Sequence, residues 1–259
     1  MAGNPFAEIA GAETAQPRAV RGGDDTVAKD PALARVHSAF REFVMQPEFP
    51  CVGARAAFNS GSYEVALYDA LGSPSATAAL ARDLYEWTRS ELRFRSEYAT
   101  FVAVFRQPEP EAMKEGIFEQ RMWQQLSSLN ALDAREFSWD SEVRSDPADP
   151  QFSFSFAGQA LYVIGLHEHS SRLARQFPWP AMVFNPHEQF ERLRADGKWK
   201  RMQQTIRERD VQLQGSINPM LSDFGESSEA RQYSGRAVEE NWQAPFTAAK
   251  PAGKCPFHH

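Results

Sequence analysis

The chain has 259 residues, 42% hydrophobic and 24% charged, enough to bury a sizeable core in one large domain and too apolar for a wholly disordered polypeptide. Its 28 Lys plus Arg against 34 Asp plus Glu give a formal charge of -6, and no basic stripe stands out. Nucleic-acid partners are therefore not expected. The most apolar run, Ala160 to Leu166, is far too short to span a membrane, and the Met1-Ala2-Gly3-Asn4-Pro5 start lacks the basic and apolar regions of an export signal. A cytoplasmic protein without membrane partners is the expectation.

Residues 1 to about 30 are rich in Ala, Gly and polar residues and read as a mobile arm; the folded part begins near Asp30-Pro31 and runs to the end as one domain. Ala32 to Val44 repeats apolar residues at helical spacing through Leu33, Val36, Phe40 and Val44, with Asp30 as cap and Pro31 in the first turn. Val52 to Phe58 and Tyr63 to Tyr68 read as short strands around Asn59-Ser60-Gly61-Ser62. Ser75 to Arg89, opened by Ser73-Pro74, predicts a helix; Thr100 to Phe105 predicts a strand; Pro108 to Leu129 predicts a long helix.

Asp133 to Gln151 is polar and broken by Asp146-Pro147 and Asp149-Pro150. Phe152, Phe154 and Phe156 then share one face of an extended segment, which turns at Ala157-Gly158-Gln159 into a buried strand, Ala160 to Leu166. Ser170 to Phe177 reads as a helical turn, Ala181 to Phe184 as a strand, and Pro186 to about Val211 as a helix interrupted near Gly197. Beyond Gln214, scattered Gly and Pro predict an irregular tail. Hairpin and strand-helix-strand signals together predict an α+β fold: a single domain with a mixed or mainly antiparallel sheet flanked by helices.

Polar side chains are densest from His167 to His187. His167 and His169 share a face if the strand continues through them. If it ends first, Ser170 and Ser171 cap the next turn, Arg172 enters it, and His167 is left at the carboxyl end of a buried strand. Asn185-Pro186-His187 joins a strand to a helix, so His187 meets the free backbone donors of a first turn, which favour a neutral imidazole. HExxH, a phosphate loop, the dinucleotide fingerprint and the nucleophile elbow are all missing. Arg201, Arg207, Arg209 and Arg231 read as surface unless they hold a carboxylate. Glu188, Glu191, Asp210, Asp223, Glu226 and Glu229 read the same way unless one grips a cation. Cys51 and Cys255 are too far apart in sequence for a redox pair and are buried thiols or haem-iron ligands.

Phe49-Pro50-Cys51 and Cys255-Pro256-Phe257 resemble the signature pair of the FPC/CPF-motif proteins, the YqcI/YcgG family. Gly165-Leu166-His167, Val183-Phe184-Asn185-Pro186-His187, Ile206-Arg207-Glu208-Arg209-Asp210, Asp223-Phe224-Gly225 and the stretch Ser228 to Gly235 are similar to its central pattern, which is departed from at Glu168, where a proline is expected. The resemblance implies a b-type haem, O2 and an external electron donor such as a reductase. The implied activity is N-hydroxylation of the guanidine of L-arginine or of another small nitrogen-containing metabolite. On that footing His167 is the first choice as metal ligand and His187 the second, with Cys255 and Cys51 behind them. Arg172 and Arg209 become propionate or cofactor contacts, and His187, Asn185, Asp210 and Glu229 the catalytic and substrate-recognising group. A homodimer is compatible with the sequence. The competing readings are a non-catalytic haem carrier or sensor, and a non-haem iron enzyme using His167, His169 and His187.

Overall fold

A computed structural model of the chain describes residues 3–9, 20–21, 30–91, 97–107 and 113–250. Pro31–Met45 forms α1, capped by Asp30, whose carboxylate accepts the Ala32 N–H at 2.7 Å and the Leu33 N–H at 3.3 Å. Its apolar stripe of Leu33, Val36, Phe40 and Val44 is buried, as the spacing predicts. The next segment differs from expectation: Val52–Ser60 is a helix, α2, and not a strand. Cys51 caps it by accepting the Ala54 N–H on Sγ at 3.4 Å, and Gly61, at φ 68°, closes it in the left-handed conformation. A short apolar run carries too little periodicity to separate strand from helix; here the caps decide.

Tyr63–Tyr68 (β2), Pro74–Arg89 (α3), Thr100–Phe105 (β3) and Glu115–Asp133 (α4) follow. The long helix thus starts and ends later than its pattern predicts, and residues 108–112 of that expectation lie outside the described residues. Phe154–Phe156 (β4) turns through Ala157 and Gly158, both at positive φ, into Gln159–Leu166 (β5). A 3-10 turn at Leu173–Arg175 leads to Ala181–Pro186 (β6), and His187–Ala195 (α5) and Trp199–Gln214 (α6) are split at Gly197. The irregular segment after α6 contains one four-residue helix, Ala230–Tyr233 (α7).

With Val20–Arg21 as β1, the six strands among the described residues lie in the order β1-β2-β3-β6-β5-β4. Only β2 and β3 run parallel; the other neighbours are antiparallel. The fold is therefore α+β, a mixed, mostly antiparallel sheet flanked by helices. One sheet face packs Phe101, Phe105, Leu161, Val163 and Phe184 against α3 and α4. The opposite face packs Val65, Leu67, Val102, Ile164 and Val183 against α1 and α2.

The stretch read as a mobile arm is anchored where it is described. Phe6 is 1% exposed, its ring 5.3 Å from Phe156 and 5.8 Å from Tyr85, and Asn4 Nδ2 donates to the Arg82 carbonyl at 2.9 Å. A large aromatic ring repays immobilisation when it closes a core of other rings. The tail is likewise tied down: Trp242 and Phe246 pack on Trp123 of α4.

Two outcomes test this packing. A Cβ at Gly165 would stand 2.6 Å from Phe118 Cε1 and 3.0 Å from the Tyr233 carbonyl oxygen. Gly165→Ala is expected to lose about 1–3 kcal/mol in urea unfolding, and a loss below about 0.5 kcal/mol would contradict the close approach of β5 to α4. Asp133 accepts the Ala157 N–H at 2.8 Å, and burial pushes its carboxyl up to about 7 against that hydrogen bond. Between the unfolded value of 3.8 and about 7 the folded state holds the extra proton, so this group makes stability fall as pH rises through that window. Asp133→Asn, which keeps an acceptor oxygen, should flatten that slope; an unchanged slope would contradict the assignment.

Candidate functional site

The alternation of β5 and β6 decides which side chains meet. Tyr162, Ile164 and Leu166 of β5 are registered against Asn185, Val183 and Ala181 of β6, and these pairs project to the face covered by α1 and α2. Between that face, α2 and α6 lies a cavity of about 270 Å3. Tyr162, Ile164, Val183 and Asn185 form its floor, Cys51 and Ala54 one wall, and Trp199 and Ile206 the opposite wall. The segment from Asn218 to Gln232 closes part of the rim. The misread helix α2 is thus a wall of the site.

His187 continues the same parity from Asn185 and lines the cavity as the first residue of α5. It is 7% exposed. Nε2 is 3.3 Å from Glu191 Oε1; Nδ1 is 3.9 Å from Glu229 Oε2 and has no hydrogen-bond partner among the described residues. Burial lowers the His187 pKa, Arg194 reinforces this and Glu191 opposes it, leaving a neutral imidazole. The Phe224 ring stands edge-on at 4.5 Å. Beside it, Glu229 is 4% exposed and accepts the Tyr233 hydroxyl proton at 2.6 Å. Burial raises its carboxyl to about 8 against that hydrogen bond, so at neutral pH it is mostly the protonated acid. The carboxamide of Asn185 faces the same space with no hydrogen bond to a described residue.

Other expected site residues are placed differently. His167 is on the opposite face: it is 1% exposed, its ring is stacked on Phe118 of α4 at 4.4 Å, neither ring nitrogen has a hydrogen-bond partner among the described residues, and burial drives its pKa down to about 4. It does not line the cavity, whereas His187 does. His169 is exposed and turned to Glu168 at 3.8 Å, so the trio of histidines does not assemble. Among the described residues no three His, Cys, Asp or Glu side chains come together as a metal site.

Arg172 and Asp210 line the cavity but are spent on each other. Arg172 Nη2 donates to Asp210 Oδ2 at 2.7 Å and to the Ser216 carbonyl at 2.8 Å, and the same Asp210 oxygen accepts the Asn218 N–H at 2.8 Å. The pair holds α6 to the 3-10 turn and to the rim. Asp223 accepts from Gln203 Nε2 at 2.5 Å and Trp199 Nε1 at 3.4 Å. Arg209 donates to the Phe49 carbonyl at 3.4 Å and lies outside the cavity lining, so neither arginine expected to hold a propionate is free for it there. Cys51 lines the cavity, but its Sγ serves as a helix cap and burial pushes its thiol up. Cys255 lies outside the described residues. Sequence reasoning missed Arg175, Arg194, Phe190 and Trp199 as cavity residues, because helix faces and sheet register were needed to find them.

The chain belongs to the YqcI/YcgG family, whose model matches residues 40–247, a span that contains all of the cavity. It is similar to YcgG of Bacillus subtilis (strain 168), 28% identical over 218 residues, covering 82% of this chain and 81% of the relative. YqcI of the same organism is 29% identical over 211 residues, covering 78% and 82%. Both relatives are described as uncharacterized. No solved structure matches the chain, and among the described residues no helix is long and apolar enough to cross a membrane.

Removing one charge of the Arg172–Asp210 pair leaves the other buried. Asp210→Asn is therefore expected to cost roughly 3–5 kcal/mol in denaturant unfolding. A loss below about 1 kcal/mol would show that the pair is not a strut of the site.

Proposed function

We propose that the chain is a haem-dependent oxygenase that hydroxylates nitrogen in a small metabolite, with a b-type haem seated in the cavity between the sheet, α2 and α6. The observation that carries the proposal is the His187 imidazole: buried, neutral, in the cavity lining, and with Nδ1 unpartnered between Glu229 and the Phe224 ring. A buried ring nitrogen without a hydrogen bond is costly unless something occupies it.

The lining offers the kinds of side chain such a group would need. Tyr162, Phe190, Trp199 and Ile206 would wall a flat porphyrin, the neutral His187 imidazole would be its protein donor, and Arg207, which lines the cavity, would meet a propionate. When bound, haem supplies the activation of O2, drawing two electrons from a reductase or another external donor.

The chain contributes placement and proton control. Phe190, Trp199 and Phe224 place aromatic rings in the cavity lining. Asn185 presents a carboxamide that can orient a substrate nitrogen by hydrogen bonding. Glu229, protonated and hydrogen-bonded to Tyr233, holds a proton at the cavity edge beside His187. L-Arginine is the first substrate to test, although Asp210 does not serve as its guanidinium partner, since Arg172 already fills that carboxylate.

Full-length protein loaded with hemin should give a stoichiometric Soret band in the ferric, ferrous and ferrous-CO forms. His187→Ala should lose or shift the axial-ligand spectrum, whereas His167→Leu, on the other face, should retain it. An unchanged spectrum in His187→Ala would remove that residue from the iron. No binding of added hemin would remove the haem.

A further inference from the structure

Arg175 is a buried charge that forms no salt bridge with a described carboxylate; Asp210 and Glu115 act on it only from beyond contact distance. It is 8% exposed and lines the cavity, yet only Nη1 is bonded, to the Tyr233 carbonyl at 2.9 Å and the Gly165 carbonyl at 3.3 Å. Two carbonyl dipoles do not replace the hydration lost by a guanidinium, and such a group ordinarily acquires a carboxylate. The neighbouring carboxylates are committed elsewhere: Asp210 to Arg172 and the Asn218 N–H, Glu229 to Tyr233. A second guanidinium, Arg207 of α6, is half-buried in the cavity lining and has no hydrogen bond or ion pair with a described residue. Arg194, the remaining cation of the lining, is satisfied by Glu191 and stacks over Trp199 at 5.0 Å.

The cavity therefore combines apolar walls with two guanidinium groups that form no salt bridge to a described residue, and neither described carboxylate of its lining is free to meet a cation. We propose that it is built for an anionic occupant with an apolar body, whose carboxylate is held by Arg175 and Arg207. This deepens the proposed function and rests on its placement of the ligand in this cavity. The carboxylate has two sources, a haem propionate or the substrate itself; in the second case the enzyme reads an amino-acid-like substrate from its carboxylate end, leaving the nitrogen to Asn185. Guanidinium planes bind carboxylates through paired N–H donors, a geometry that Lys does not copy.

The test titrates full-length protein with hemin and hemin dimethyl ester, read by the Soret band, and with 4-phenylbutyrate and 4-phenylbutyramide, read by tryptophan fluorescence. In at least one pair the acid should bind about tenfold more tightly than its neutral partner, the scale of one charge-assisted contact. Arg207→Gln, at a half-exposed position where the melting temperature confirms folding, should remove most of that preference. A preference in the hemin pair assigns the propionate. A preference in the phenylbutyrate pair without hemin binding supports the anion site and rejects haem. Hemin binding with no preference in either pair overturns the anion site and leaves haem standing. A preference untouched by Arg207→Gln, or no binding of any of the four, also overturns the proposal.

Discussion

The two-residue period of the central strand pair governs the molecule. Once β5 and β6 are registered Tyr162 to Asn185 and Ile164 to Val183, every side chain of the pair is committed to one of two faces. One face receives Leu161, Val163, Met182 and Phe184 and becomes the aromatic core under α3 and α4. The other receives Tyr162, Ile164, Val183 and Asn185 and becomes the floor of a cavity. His167 and His187 each follow the last residues of these strands, and parity sends them to opposite sides of the sheet. A one-residue slip of either strand would turn its histidine to the other side.

The cavity persists because polar struts hold its walls apart. Arg172 and Asp210 join the 3-10 turn, α6 and the Ser216–Asn218 rim in one buried pair. Gln189 of α5 accepts the Ala99 N–H at 2.9 Å and ties that helix to the start of β3. On the far face, Tyr233 accepts the Phe154 N–H at 3.0 Å while donating to Glu229, so the aromatic core and the cavity share one hydroxyl. The irregular C-terminal segment is thus structural: it supplies the rim, the buried acid and the Trp242 and Phe246 rings that seal α4.

Much of the fold was legible in the sequence because local signals agreed with the tertiary outcome. The Asp30-Pro31 start of α1, the Ser73-Pro74 start of α3 and the Ala157-Gly158 turn were all set by residues adjacent in the chain. α2 was not legible, since its Val, Ala and Phe content suits either element and the deciding cap is a cysteine, a weak acceptor easily read for its reactivity. Phe6 was hidden in a polar, Gly-rich stretch. In the site, Asn185, His187, Asp210 and Glu229 do converge, but their relations were not visible: Asp210 meets Arg172 and not an open space, and Glu229 is a neutral acid because of burial. His167 lies away from the cavity for a geometric reason that the sequence hid, since a residue at a strand end says nothing about which face it serves until the register is known. Arg175 and Arg207 carried no local mark distinguishing them from solvated arginines.

The sheet face under α2 and α6 is the one proposed to meet ligand, and the α3 and α4 face is a packed core. Hydrogen–deuterium exchange of the full chain with and without hemin tests this directly. Added protection should concentrate in residues 52–60 and 187–214, with residues 74–89 and 115–133 unchanged. Protection centred on α4 around Phe118 and His167, with none over α2 or α6, would contradict it.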